Sequence, residues 1–385
     1  MRSRLLKVIM TFGAALLSAA CLSGCALHYR ARIGSEMRQE RAAGPARMER
    51  HGNVTVVHLY GKPEQMGLQY GTLLGPALRN LLHYARSLIA PEKMEQFLAY
   101  ARDREEDIPA EVRAHLRATA HAADLPYEEL VALNVIPRLM CSTLAVWGEA
   151  TPDGRLILGR NADYFGLGLE DRGSMVVVYH PKEGRPVVAV TFLGMAGGFL
   201  VVNSQGVTAA NMLAFATNEP ESPDGVTVQL AMRLACERAA SSAEAADVLS
   251  GMTHVIPMNV MVADAKQAMM LELAADRSKV RLGEAGLLAA SNYFRHPDWA
   301  WARKDIRCER YEALVSAARS RYGQFTAEDM KAALHAARIE DMNLQAVVVE
   351  PGAMRLHVSV NRSPATAGPY VTFDIRELVD TPPAK

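Results

Sequence analysis

One change of texture constrains this chain more than anything else in it. Residues 60–133 carry apolar side chains at helical spacing, broken at Pro109 and Pro126, and read as mostly helix. Residues 142–215 then carry short β-type runs at 143–147, 156–158, 175–179, 187–192 and 199–202. Helix returns over 226–249, followed by a hairpin of 258–263 and 269–274. Further helices are expected at 302–320 and 327–338, the second opened by Thr326 as N-cap with Asp329 completing the box. Strands are expected at 54–59, 344–349, 354–360 and 370–375. Each helical stripe and each alternating strand must bury one face. Two helical blocks and two strand groups therefore imply the α+β class, with antiparallel sheets between helical layers.

The N-terminus has its own logic. Arg2, Arg4 and Lys7 precede the apolar stretch 8–20, which is too short to span a bilayer as a stable helix. Leu22-Ser23-Gly24-Cys25 follows, and small residues leading into a cysteine at that point resemble a bacterial lipobox. The resemblance implies removal of residues 1–24 as a signal peptide and acylation of Cys25; an ordinary signal peptide cleaved nearby is the alternative. Several acyl chains would anchor stably where one anchors marginally. Residues 25–53 then serve as a polar tether. The expected location is the bacterial cell envelope, lipid-anchored, facing the periplasm or exterior.

Charge narrows the partners. Forty-two lysines and arginines balance 42 aspartates and glutamates, so no basic surface recommends a nucleic acid. Of five cysteines, Cys21 leaves with the signal and Cys25 carries lipid, so Cys141, Cys236 and Cys308 remain, an odd number for an oxidising compartment. No CxxC, HExxH, GxSxG or Walker loop occurs. No metal or cofactor is expected. His254, His296, His335 and His357 are scattered, and the methionines of 258–270 read as core. Trp299 and Trp301 suit either a pocket wall or aromatic packing at a helix end.

Cys141 stands at the junction between the helical block and the strands. It opens the run Cys141-Ser142-Thr143-Leu144-Ala145-Val146-Trp147, and Thr151-Pro152-Asp153-Gly154 is a turn. A hairpin centred between Pro152 and Asp153 would set position 141 across from about position 164 and bring it near Arg160, Asn161 and Asp163. A neighbouring cation favours the reactive thiolate. Arg160 and Asp163 are three apart, so a regular strand points them to opposite faces. Both reach the cysteine only where the strand ends or bulges.

Five segments stand in order along the chain: Gly61-Lys-Pro-Glu-Gln-Met-Gly67 with Gln69-Tyr-Gly71; Cys141-Ser142 with Gly159-Arg160-Asn161-Ala162-Asp163; Asn203-Ser-Gln-Gly206-Val207 with Asn211; Ala289-Ala-Ser-Asn292-Tyr-Phe294; and Cys308-Glu-Arg310-Tyr311. Together they resemble the acyl-coenzyme A:isopenicillin N acyltransferase family, within the N-terminal-nucleophile hydrolases that include choloylglycine hydrolases and penicillin V acylases. Tyr293 replaces the family's histidine and Cys308 its serine, and Met140 precedes the nucleophile where a small residue is expected.

The resemblance implies a four-layer αββα sandwich with a helical pro-segment, residues 54–140, packed on a catalytic chain, 141–385. Cleavage between Met140 and Cys141 would make Cys141 the nucleophile, with its own α-amine as base. Asp163 and Arg160 would hold and polarise that pair. Asn292, with Asn211 as a further candidate, would donate to the oxyanion, and Arg310 would support the nucleophile from another strand. The implied reaction is hydrolysis of a linear amide in a small N-acylated substrate through an acyl-cysteine. The alternatives are acyl transfer to an amine and a non-catalytic envelope lipoprotein that keeps the fold. The two fragments are expected to stay together as a heterodimer.

Overall fold

A computed structural model describes residues 24–135, 140–164, 168–215, 219–222, 224–299 and 307–384. Residues 1–23 of the expected signal peptide, with Leu22 and Ser23 of the lipobox, Trp301 and the start of the helix expected from residue 302 lie outside them.

Two sheets form the centre. The larger comprises β1 (Arg41–Ala43), β2 (Ala46–His51), β3 (Val54–Gly61), β6 (Ser174–Pro181), β7 (Val187–Phe192), β8 (Leu200–Asn203), β9 (Thr208–Leu213), β10 (Met258–Ala263), β11 (Ala268–Leu273) and β12 (Ser278–Leu282), in that spatial order. The smaller runs β13 (Leu287–Ala290), β4 (Met140–Gly148), β5 (Gly154–Asp163), β14 (Asn343–Glu350), β15 (Arg355–Val360), β16 (Val371–Asp374). The helices are α1 (Gly24–Glu36), α2 (Pro63–Leu88), α3 (Pro91–Arg102), α4 (Ala110–Ala123), α5 (Tyr127–Val135), α6 (Val228–Arg238), α7 (Ser242–Ser250), α8 (Glu309–Ser320), α9 (Ala327–Ala336) and α10 (Ile375–Val379).

The apolar residues sort into three main cores, and these define the layers. One core lies between the large sheet and helices α1, α2, α4, α5, α6 and α7, with Leu73, Leu116, Val177, Leu230 and Val260 in it. The second lies between the sheets, with Cys141, Leu158, Val178, Met270 and Val347. The third holds Leu144, Ile157, Leu314, Met330 and Leu334, between the small sheet and helices α8 and α9. Helix, sheet, sheet, helix is the four-layer αββα order.

Local chemistry explains the boundaries. Pro63 and Pro91 each open a helix, where a missing N–H costs nothing. Thr326 caps α9 and exchanges hydrogen bonds with Asp329. The expected single helix over 226–249 is two, because Ser241 accepts from Glu244 N at 3.2 Å and starts α7 afresh. Gly67 and Gly71 let α2 and α4 touch: a Cβ on Gly71 would lie 2.5 Å from Thr119 O.

Three expectations are corrected. Residues 25–53 are not a free tether. They form α1, β1 and β2, with Ala26, Ile33, Met37, Ala46 and Met48 buried in the core that the large sheet shares with α2. The sheets are not wholly antiparallel: β3 pairs parallel with β6, Thr55 opposite Met175. The intervening helical block makes the long crossover that a parallel pair requires. Finally, β9, β12 and β13 form where no strand was expected. β9 is buried throughout and so lacks the alternation that marks a half-exposed strand.

Candidate active site

The β4–β5 hairpin sets the site. Cys141 lies opposite Ala162, Thr143 opposite Arg160 and Met140 opposite Asp163. The turn is thus centred one residue earlier than the sequence suggested, and a register irregularity between Val146 and Gly148 accompanies it. Cys141, Arg160 and Ala162 share the face between the sheets, and Arg160 Nη2 donates to Cys141 Sγ at 3.0 Å. Asn161 and Asp163 point to the other face, where Asn161 Nδ2 donates to Leu334 O of α9 at 2.7 Å. Gly159 completes the motif: a Cβ there would collide with Met330 of α9.

Strand β13 explains how the cysteine's backbone is held. Its pairing with β4 stops at Ala290 opposite Thr143. Beyond that point side chains replace the missing strand. Asn292 Oδ1 accepts from Cys141 N at 3.1 Å, and Arg310 Nη1 donates to Cys141 O at 2.9 Å. Arg310 Nη2 also donates to Asn292 Oδ1 at 2.8 Å, while Asn292 Nδ2 donates to Leu213 O at 2.5 Å. These two bonds fix which way the amide faces. Asn292 therefore presents its oxygen to the cysteine's nitrogen, whereas the sequence reading gave it an oxyanion-donor role. Arg310 comes from the first turn of α8, not from a strand. Cys308, two residues earlier, is the N-cap residue of that helix and is buried.

Asp163 meets the site through Arg310. Its Oδ2 lies 3.6 Å from Arg310 Nη1 and makes no hydrogen bond among the described residues, while its Oδ1 accepts from Asn343 Nδ2 at 2.9 Å. Strand β5 ends at Asp163, the strand end that the spacing of Arg160 and Asp163 allowed for, while the slip between Asn343 and Gln345 lies in β14. Asn343 was not singled out in the sequence. It sits just before an apolar run and carries no local signal.

Arg160 is wholly buried. Its Nε donates to Asn211 O at 3.1 Å and its Nη2 to Asn211 Oδ1 at 3.4 Å, its guanidinium lies over Phe199, and its Nη1 has no partner among the described residues. Asn211 is therefore an acceptor that steadies Arg160. Asn203, from the same motif, closes the β8–β9 turn by accepting from Gln205 N and Val207 N, with Gly206 at φ +83°.

Electrostatics describe an uncut, closed state. Cys141 has no solvent exposure. Burial raises its thiol pKa, opposed by Arg160, supported by the Asp163 charge, and opposed again by Arg310 and the Asp163 backbone N–H. Burial likewise pushes Asp163 up to about 6, against the pull of Asn343 and Arg310.

The other singled-out residues have structural partners. His254 Nε2 meets Leu249 O, His335 meets Thr366 Oγ1, and His357 sits between Thr372 and Glu350. Trp299 stacks on Phe294. Cys25 is exposed in the first turn of α1, and among the described residues no helix is long and apolar enough to cross a membrane.

Residues 150–333 match the model of the acyl-coenzyme A:6-aminopenicillanic acid acyl-transferase family. Over this stretch the chain is similar to that family. The matched region contains Arg160, Asp163, Asn211, Asn292 and Arg310, and Cys141 lies nine residues before it. The chain is similar to an uncharacterized protein of Archaeoglobus fulgidus, 23% identical over 285 residues, covering 64% of this chain and 46% of that one. It is also similar to the protein dcd1B of Dictyostelium discoideum, 29% identical over 161 residues, covering 34% and 32%. The chain thus spans less than half the length of the curated relatives it matches. Among solved structures it is similar to a Caenorhabditis elegans N-acylethanolamine-hydrolyzing acid amidase ortholog, at 18% identity, 55% of this chain, 93% of that chain and TM-score 0.45. It is also similar to penicillin V acylase from Agrobacterium tumefaciens, at 11%, 57%, 83% and TM-score 0.39.

Proposed function

We propose that this chain is a precursor that cuts itself between Met140 and Cys141 and then hydrolyses the amide bond of a small N-acylated substrate through an acyl-cysteine. The observation that carries this reading is the convergence on one residue: Arg160 on the sulfur of Cys141, Asn292 on its nitrogen and Arg310 on its carbonyl oxygen. A structural cysteine needs none of these. In the first reaction the thiol attacks the Met140 carbonyl, the acyl group moves from nitrogen to sulfur, and water releases it. The nitrogen freed is the one Asn292 already holds, so the α-amine is born in place as the base. Asp163 Oδ2, unbonded and opposite Met140, is suited to receive the resulting ammonium. The spare Nη1 of Arg160 is suited to a substrate oxygen.

The same acyl-cysteine passes its acyl group to an amine when an amine reaches it before water, and the family match favours neither outcome. We further place the chain in the bacterial cell envelope, held by lipid on Cys25, with the small fragment both anchor and part of the fold. Mixing purified protein with a chromogenic N-acyl amide should give a burst equal to the enzyme concentration. Mass spectrometry should find the acyl group on the fragment that begins at 141. Steady release with no burst and no acylated fragment would sink the covalent mechanism; adding amines separates hydrolysis from transfer.

A further inference from the structure

The loop that carries Asn292 is held to the large sheet by two buried polar side chains that the proposed chemistry does not use. Asn259 on β10 donates through Nδ2 to Ser291 O at 2.9 Å and to Tyr293 O at 3.0 Å, gripping the backbone on both sides of Asn292. Glu272, its cross-strand neighbour on β11, accepts from Arg295 N at 2.8 Å, His296 N at 2.9 Å and Trp299 Nε1 at 2.9 Å. Arg281 Nε donates to it at 3.3 Å, and Arg281 Nη2 donates to Ala289 O at 2.8 Å. Both Asn259 and Glu272 are wholly buried.

A carboxylate in a sheet interior costs free energy unless hydrogen bonds satisfy it. Along the same strands Met261, Ala263, Ala268 and Met270 face the inter-sheet core, so an apolar residue would suit this position for packing alone. Among the described residues, three of the four donors to Glu272 come from residues 295–299, and the fourth, Arg281, also braces Ala289. Residues 291–299 have no strand ladder or helix to fix them. A main-chain bond from Phe215 N to Asn292 O at 2.7 Å holds Asn292 itself, and the two side chains hold the loop on either side of it. Positional error at a reacting centre is expensive: about 1 Å can lower a rate a hundredfold.

Resting on the proposed reaction, we infer that Asn259 and Glu272 are positioning residues that hold the Asn292 carboxamide against the Cys141 nitrogen. They act through Asn292 and touch no reacting atom. Asn259→Ala and Glu272→Gln should each lower self-cleavage and turnover about tenfold, with KM for the acyl amide unchanged. In an Asn292→Ala background neither should lower them further, since residues acting through one group do not add. The same fold-loss in that background would overturn the inference, as would a loss confined to KM. A second measurement needs no turnover. In crystals of uncut Cys141→Ala protein, adding Asn259→Ala should move Asn292 Oδ1 out of hydrogen-bond reach of the residue-141 nitrogen. If the 3.1 Å contact persists there, the inference fails. Glu272→Gln, of equal size, replaces Asn259→Ala in these crystals if the latter misfolds. Wild-type protein inert toward acyl amides would sink the proposed function but leave this crystallographic test standing.

Discussion

At the scale of single residues, Cys141 is surrounded by groups with separate tasks. Arg160 faces the sulfur, Asn292 the nitrogen and Arg310 the oxygen. Asn292→Ala removes the acceptor that aims the nucleophile's nitrogen, and turnover should fall about a hundredfold with the fold intact; normal turnover would remove Asn292 from the site. Asp163 gives a prediction in pH. Its folded pKa of about 6 lies above the ordinary 3.8. The folded state therefore binds the proton more tightly, and the stability this contributes is full below pH 4 and lost as pH rises through 6. The shift corresponds to at most about 3 kcal/mol. In uncut Cys141→Ala protein, Asp163→Asn should flatten the fall in thermal stability between pH 4 and 7; an unchanged slope would show that Asp163 is not the titrating group. Cys141, Arg160, Asp163, Asn292 and Arg310 were legible because each sits in a short motif. Asn343, Asn259 and Glu272 were not, because their partners are 180, 32 to 34 and 9 to 27 residues away, and nothing local marks a buried polar side chain.

At the scale of elements, the helices were legible from period and punctuation. Pro63, Pro109 and Pro126 each stand at or just before a helix start. The β4–β5 pairing was legible to within two residues, the error arising at the irregular turn around Gly148. Fully buried β9 and the edge strand β12 were not: β9 does not alternate, and the alternating Val280 and Leu282 of β12 are exposed over only five residues. The glycines of α2 now have a physical meaning as a contact surface for α4. Gly71→Ala would place a Cβ 2.8 Å from that of Ala122 as well as against Thr119 O. Overpacking of this kind costs about 1–3 kcal/mol, which a thermal melt of the uncut protein would register. An unchanged melting temperature would mean that the helices separate without penalty.

At the scale of the whole molecule, a cut before Cys141 divides one fold. The segment before it supplies β1, β2 and β3 to the large sheet, and β3 is laddered to β6 on the other side of the cut. Leu73, Leu116 and Leu130 share a core with Val177, Leu230 and Val260. Asn134 of α5 accepts from Ala196 N at 2.8 Å and donates to Gly194 O at 2.9 Å. Such an interface resembles a domain core cut in half. After cleavage both fragments should sediment together with the membrane, and mild denaturant should release only residues 141–385. Finding that fragment free without denaturant would make the small chain a disposable pro-segment.

The proposed chemistry depends on Cys141 becoming a chain terminus by loss of the bond to Met140. The direct measurement is the N-terminal residue of the large fragment isolated from active protein, beside the same preparation of Cys141→Ala. The account predicts a fragment that begins at Cys141 and an uncut Cys141→Ala chain. Fully active wild-type protein that remains one chain, or a fragment that begins elsewhere, would contradict it.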